Sequence, residues 1–499
     1  MSINTGQVYK GVKTAYDVAK GGVTLDLKDS NAPYQYAVTI LAAGAGLVPE
    51  VGPMLSSVIL LIGAIAFPPK KDPKEVWNLL RADVEELIGV KVDAERVKSL
   101  EATIEGFKTN MKSFSDTFNS YDAASDERKP KLAEPLRTVH TAFLYVLQTS
   151  MPQFEIENIG VATLGMFTLA ANMHITLLAD GIKSGEKWGW PREYITNTLQ
   201  PQFDEVTVGS SPRARGLHSR DTSSDVSLLQ DCIRYGEAAG FDAALLDTWK
   251  TALGILSNAS NSSSIFTRGV KMTYPAHAKL YYEKGRAMVK PYTAGIYNGM
   301  LGTKEALKLN ALADYDMTMY MNVLALADFW PYQAGAPMTE SARLALDREI
   351  FSGPYGRYTD GASWSAKSPP PVTPRAGNIT AIQVRSFEDI DMLRVRYGEE
   401  WGTLLGSGGN GDEVTVNLAF DVYIKAVDIN YGAKLGQLTF FSNQNKTYGP
   451  LGQARHSQNT TFVQHDGFKL SSMYVTNWEK HPPTGCEGII LGFRPLIMN

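Results

Sequence analysis

The sequence predicts a multidomain chain, helical in its first part and all-β in its last. Three observations carry this. The stretch 158–190, NIGVATLGMFTLAANMHITLLADGIKSGEKWGW, has no Asp, Glu, Lys or Arg between Gly160 and Ala179, where His174 is the one ionisable residue. Ahead of it, two amphipathic segments repeat their apolar residues at steps of 3 and 4, as helices of a bundle do. Beyond residue 376 the apolar period changes to 2, as in strands. The expected architecture is a helical bundle around a central apolar helix, followed by a closed or prism-like all-β domain.

Taken in order, 1–35 is polar and mixed. Residues 36–67 are apolar and Gly-rich, broken by Pro49 and Pro53, and read as two short buried helices. Pro68-Pro69-Lys70-Lys71 stops the second. Asp93 opens a long helix whose Val97, Leu100, Ile104, Phe107, Met111, Phe114 and Phe118 form one core-facing stripe. The helix 131–148 has two faces: Leu132, Leu136, Val139, Phe143 and Leu147 on one, and Glu134, Arg137, Thr141, Tyr145 and Gln148 on the other.

A connection containing Met151, Pro152 and Phe154 leads into the apolar helix 158–179, which carries Ile159, Phe167, Met173 and Leu177. At about 1.5 Å per residue, roughly 20 residues match a bilayer core of about 30 Å. The pair thus reads as a hairpin that could enter a membrane, Met151, Phe154, Ile159, Phe167, Met173 and Leu177 toward lipid and the polar stripe toward a water-filled lumen. Before insertion the same apolar helix is the wrapped centre of the bundle, and the stripe is a solvated face. His174 reads as a core histidine with a hydrogen-bond partner or as a pH-sensitive trigger.

Residues 200–226 form a polar loop in which Arg213, Arg215 and Arg220 offer sites for proteolytic activation. Residues 224–256 read as one or two helices, 276–301 and 304–330 as two more. A Ser/Pro-rich linker at 363–374 marks the domain boundary. Alternating segments at 379–385, 393–397, 414–418, 423–429 and 435–441 follow.

Ala170-Ala171-Asn172-Met173-His174, Leu177-Leu178-Ala179-Asp180 and Gly185-Glu186-Lys187-Trp188-Gly189 resemble the central-helix signature of the crystal delta-endotoxins. The run 311–332 and Arg348-Glu349-Ile350 resemble that family's last bundle helix and its exit. The resemblance implies a seven-helix bundle with a pore-forming, insecticidal role. In that family the sixth helix follows the central one more closely, so this chain carries an insertion near 192–270. The domains expected are 1–355, helical and pore-forming; 356–375, linker; and 376–499, a receptor-binding β domain.

Gly408-Gly409-Asn410-Gly411, Tyr423-Ile424, Tyr431-Gly432 and Thr447-Tyr448-Gly449-Pro450-Leu451-Gly452 resemble a jacalin-related lectin. That resemblance implies a β-prism in which a glycine near the domain start and a Gly-x-x-x-Asp loop near its end hold a monosaccharide. Gly408, Gly409, Gly485 and Glu487 are the candidate glycan residues, Glu487 standing where the aspartate is expected.

Composition excludes other classes. A net charge of −4 gives no electrostatic argument for nucleic acid. Two cysteines, Cys232 and Cys486, make no disulfide framework. No His-Glu-x-x-His, Cys-x-x-Cys, Gly-x-Ser-x-Gly or Walker loop occurs, so no catalysis, cofactor or metal is expected. The N-terminus lacks the apolar core of a secretory signal, which points to synthesis in the cytoplasm of the producer and action at a target-cell membrane. The expected partners are that membrane, a cell-surface glycan or glycoprotein, and further copies of the chain in an oligomeric pore. The alternative is a soluble glycan-binding, storage or defence protein that does not insert.

Overall fold

The computed structural model describes residues 84–86, 88–89, 91–155, 160–209, 222–261, 272–292, 304–336, 339–356, 378–406, 409–465, 468–476 and 485–495. The sequence expectations for 1–83, for the linker and for Arg213, Arg215, Arg220, Ile159 and Gly408 lie outside these residues. The chain divides into two units: 1–86, 90–285 and 321–345 form one, and 87–89, 286–320 and 346–499 the other.

The first unit is helical. Helix α1, Ala94–Asp122, starts at Asp93, whose carboxylate accepts from the amides of Glu95 and Arg96. Every residue of its predicted stripe is buried. Helix α2, Lys129–Ser150, packs along α1 and is joined by the 3₁₀ turn Met151–Gln153 toward α3, Leu164–Ser184. The central helix therefore starts later than position 158 in sequence and runs five residues past 179. Gly189 closes the turn after it with φ of 81°, and a Cβ there would stand 2.7 Å from the Arg137 guanidinium, so the position favours glycine twice over. Arg192–Tyr194, a π segment Ile195–Leu199 and helix α4, Gln200–Thr207, continue without a break. Helices α5, Thr222–Ala238, and α6, Ala243–Asn261, pack on each other and both against α2.

Helix α7, Tyr274–Met288, ends well short of 301. Pro291 has no N–H to offer and pushes Lys290 out of the helical region, so the chain leaves the helix there. The last helical run is Lys304–Met319, α8; a π segment, Tyr320–Leu324; and Ala325–Phe329, α9. It closes with a 3₁₀ turn at Trp330–Tyr332, and α10, Glu340–Leu346, follows.

Among the described residues, the second unit holds α8 and twelve strands in three antiparallel sheets. β1, Ile350–Gly356, pairs with β12, Gly488–Pro495, which pairs with β11, Phe468–Thr476. A second sheet runs β10, Ser457–Gln464; β7, Ile424–Gly432; β8, Leu435–Ser442; β9, Thr447–Gly452. The third runs β4, Glu400–Trp401; β3, Ile390–Tyr397; β2, Ile379–Ser386; β6, Asp412–Asn417, with β5, Leu405–Gly406, also on β3. β1 lies in the stretch 1–355 that the sequence assigns to helices, yet it pairs with the final strand. Glu349, just before β1, accepts from the hydroxyls of Ser471 and Ser472 and lies 4.0 Å from Arg494. Its carboxylate ties β1 to β11 and β12 in a part of the core that side chains alone would leave polar and unpaired.

Candidate functional site

The hairpin α2–α3 is the helical unit's centre. Met151, Phe154, Phe167, Met173 and Leu177 are all fully buried. Yet α3 is not uniformly apolar. Thr168, Asn172, His174, Thr176 and Asp180 are buried along it. Most of them have a visible reason to tolerate burial. Asn172 Oδ1 accepts from Trp330 Nε1 at 3.1 Å and from Gln333 Nε2 at 3.4 Å; Thr176 donates to the Asn172 carbonyl at 2.7 Å. Thr168 donates to the Leu164 carbonyl at 2.8 Å. His174 Nδ1 meets the Tyr274 hydroxyl at 3.0 Å, as a hydrogen-bonded core histidine should. This polar content has a consequence: no helix among the described residues is long and apolar enough to cross a membrane. The expectation that α3 alone matches a bilayer core in apolar length is corrected on that ground.

The polar stripe of α2 also departs from expectation. Glu134 is exposed and Arg137 and Gln148 are half-buried, but Thr141 and Tyr145 are 5% and 1% exposed. The stripe is therefore not a solvated face. Helices α1, α3, α5 and α6 all pack on α2, and the sequence marks α5–α6 as helices but not where they dock. Arg137 donates to the Trp188 carbonyl at 2.6 Å and so ties α2 to the turn after α3.

His140 sits where α2 meets α3. Its Nε2 lies 2.9 Å from the Leu177 carbonyl, and Phe114, Trp188 and Trp190 ring it at centroid distances of 5.9, 5.4 and 5.0 Å. Burial lowers its pKa to about 4, only partly countered by the Leu177 carbonyl, so the ring is neutral near pH 7. His277 on α7 is treated alike: stacked 4.2 Å from Phe167, it is lowered to about 4 by burial and by the nearby Lys284 charge. Neither histidine stands out in the sequence, because nothing in the local pattern marks a neutral core histidine.

In the β unit the glycan candidates fall into two clusters. Gly409 and Gly485, both at positive φ, come together at Asp391: a Cβ on Gly409 would overlap the Asp391 carboxylate, and one on Gly485 would stand 3.7 Å from the Asp391 Cα. Burial raises the Asp391 pKa, and the Gly411 amide opposes this. Glu487 is half-buried and belongs to the other cluster. Gly356 pairs with Gly488, and a Cβ on Gly356 would lie 2.6 Å from the Glu487 carbonyl oxygen. Sequence reasoning misses both Asp391 and Gly356. The Gly353-Pro354-Tyr355-Gly356 run, near the start of the β unit, is a signal for Gly356. Cys232 and Cys486 are free and buried, and burial pushes each thiol up to about 12, which leaves both unreactive.

A helical unit organised around one polar-studded central helix, joined to a unit of three antiparallel sheets, defines the class of the protein. Residues 40–211 match the family model for the delta endotoxin, N-terminal domain, so this stretch of the chain is similar to that family. Two relatives in sequence are the pesticidal crystal proteins Cry8Ba from Bacillus thuringiensis serovar kumamotoensis and Cry1Ga from Bacillus thuringiensis. Cry8Ba is 36% identical over 169 residues, 33% of this chain and 13% of its own. Cry1Ga is 22% identical over 290 residues, 57% of this chain and 22% of its own. The chain thus spans less than a quarter of the length of either. Among solved structures, the Bacillus thuringiensis insecticidal crystal protein Cry7Ca1 superposes with a TM-score of 0.59 at 13% identity, covering 94% of this chain and 76% of that one. A Cry1Da tryptic core variant from Bacillus thuringiensis gives 0.53 at 15%, covering 95% and 74%. These likenesses show the fold: a helical N-terminal region followed by β-sheet structure.

Proposed function

We propose that the chain is a pore-forming, insecticidal toxin whose helical unit perforates a target-cell membrane. The observation that supports this most is the α2–α3 hairpin inside a delta-endotoxin helical region. At about 1.5 Å per residue, the 22 residues of α2 and 21 of α3 are each about 32 Å long, enough for a bilayer core of about 30 Å. Neither helix can cross alone, because the buried polar groups of α3 and the stripe of α2 would meet hydrocarbon. Several hairpins together remove that obstacle: Glu134, Arg137, Thr141, Tyr145 and Gln148 turn to a shared aqueous lumen, and Met151, Phe154, Ile159, Phe167, Met173 and Leu177 turn outward. Oligomerisation is therefore part of the mechanism. The chain performs no catalysis; apolar surface withdrawn from the bundle is covered again by lipid, at about 25 cal/mol per Å² on either side. Arg213, Arg215 and Arg220 remain the proposed sites of proteolytic activation.

The three-sheet unit is proposed to be a jacalin-like β-prism that binds a cell-surface glycan. The glycine expected near the domain start is supplied by Gly356, which lies against Glu487; Gly409 and Gly485 shape the neighbouring loop around Asp391. The test of the whole reading is dye release from liposomes with and without prior trypsin. Release supports the pore; intact vesicles under both conditions leave the alternative, a glycan-binding protein that never inserts.

A further inference from the structure

The segment that sets this chain apart from the expected bundle, the insertion near 192–270, contributes the helical pair α5–α6. The pair lies on α2, one of the two helices that the proposed function requires to move. Both of its helices lie against α2, and α6 also lies against α1. Asp242 caps the start of α6, its carboxylate accepting from the amides of Ala244 at 2.9 Å and Leu245 at 3.3 Å. Two turns on, Trp249 is fully buried and donates through Nε1 to Asn110 Oδ1 of α1 at 2.8 Å; Asn110 Nδ2 donates to Thr248 Oγ1 at 3.0 Å. Asn110 is itself fully buried in the otherwise apolar stripe of α1. Its amide is satisfied across the interface by two residues of the inserted pair and within α1 by the Gly106 carbonyl. A Cβ on Gly106 would meet the Thr248 methyl at 3.7 Å, an ordinary contact distance. On α5, Tyr235 stacks edge-on against Phe241, which meets Trp249 in the same way. Tyr235 also lies within electrostatic reach of Glu134 and Arg137, the first two residues of the stripe.

We propose that α5–α6 is a built-in cap on the pore-forming hairpin, latched to α1 by Asn110, Thr248 and Trp249, and that its release from α1–α2 precedes membrane insertion. The proposal rests on the pore-forming reading. Cap and hairpin are unequally buried. α3 is enclosed on every side, whereas among the described residues of α5–α6 the buried apolar side chains include Leu229, Cys232, Ile233, Leu245, Leu246 and Trp249, and many of the rest are exposed. A helical pair this exposed, held by a polar latch, detaches at lower cost than the hairpin beneath it, as local opening draws on the least-buried elements first. With Tyr235 of α5 beside Glu134 and Arg137, the start of the stripe cannot reach a lumen until the cap has moved.

The experiment is a reversible latch. The full chain carrying Asn110→Cys and Thr248→Cys is bridged by oxidation or by a short thiol-reactive linker, and dye release from anionic phosphatidylcholine/phosphatidylglycerol vesicles is compared with the same protein unbridged. Bridging should slow release by about tenfold or more, and reduction of the disulfide form should restore it. Equal release by bridged and unbridged protein overturns the cap. Should the unbridged variant be silent while the wild type leaks, Trp249→Phe decides: it keeps a ring in the site and drops the donor to Asn110, so release should quicken by about fivefold, and unchanged or slower release overturns the proposal. A wild type that releases no dye removes the pore-forming reading itself, and the cap falls with it.

Discussion

The two units bury polar groups for different ends. In the helical unit, a run of buried polar groups lies along the central helix: Asn172, His174 and Thr176 of α3 are each met by a side chain from another helix or turn, Trp330, Gln333 and Tyr274. In the β unit, polarity sits at a junction, where Glu349 gathers Ser471, Ser472 and Arg494 and so joins the first strand to the last two. The first arrangement specifies how helices rotate about a centre. The second specifies which strands close a sheet. It follows that a helix built in the first way can exchange its partners for water or for copies of itself, while the second loses its register when its centre is removed.

The comparison can be broken by substitution. Phe114 is fully buried between α1 and α2 and touches His140. Phe114→Ala should destabilise the helical unit by about 4 kcal/mol, through lost burial and the cavity left behind. Urea unfolding followed by hydrogen exchange should show this loss in α1–α3 and little change in β7 and β8. Equal loss in both units would mean that they unfold as one, and the contrast would collapse. Glu349→Ala should do the reverse, costing the β unit about 3 kcal/mol by leaving two serine hydroxyls without their acceptor and Arg494 with Asp347 as its remaining ion-pair partner. If β1 and β12 keep their exchange protection in that variant, the carboxylate is not what holds the junction.

Acid sharpens the same contrast. His140 and His277 in the helical unit and His465 in the β unit are each lowered to about 4 by burial. A histidine that binds its proton less readily when folded is protonated first in the unfolded chain. Stability is therefore full above about pH 6.5, the unfolded value, and declines as pH falls toward 4. For His140 the difference amounts to about 3 kcal/mol at pH 4. With two such groups against one, the helical unit should lose stability more steeply than the β unit between pH 6.5 and 4. His140→Phe should flatten its slope by about half. A β unit that melts first on acidification would refute the assignment.

How much of this is legible in the sequence depends on whether the information is local. The α1 stripe from Val97 to Phe118 can be read residue by residue, because a 3.6 period is written within one helix. The strands 379–385 and 435–441 likewise follow from their alternation. What escapes is long-range. β1 pairs with β12 across well over a hundred residues, and no local period announces it. The burial of Thr141 and Tyr145 depends on how distant segments pack around α2, and where α6 meets α1 depends on Asn110, Thr248 and Trp249. The glycan candidates show both sides. Glu487 is found by its motif, but its neighbour Gly356 is supplied by β1, and Gly409 turns out to face Asp391 instead.

The smallest expected effect on stability is also the sharpest test of how the units divide their labour. Glu487 is half-buried at the edge of the β1–β12 pairing, and Gly356 packs closely against its backbone. Glu487→Gln keeps the size of the side chain and removes the charge that would accept sugar hydroxyl hydrogen bonds. As a near-isosteric change away from the core, it should alter folding by no more than about 0.5 kcal/mol. If targeting resides in the β unit and perforation in the helical one, the variant should lose binding on a glycan array while releasing dye from protein-free liposomes at the wild-type rate. Retained glycan binding would take Glu487 out of the site and move attention to the Gly409–Gly485–Asp391 cluster. Loss of both activities would show that the two units do not act separately, because no sugar is present on such vesicles for Glu487 to bind.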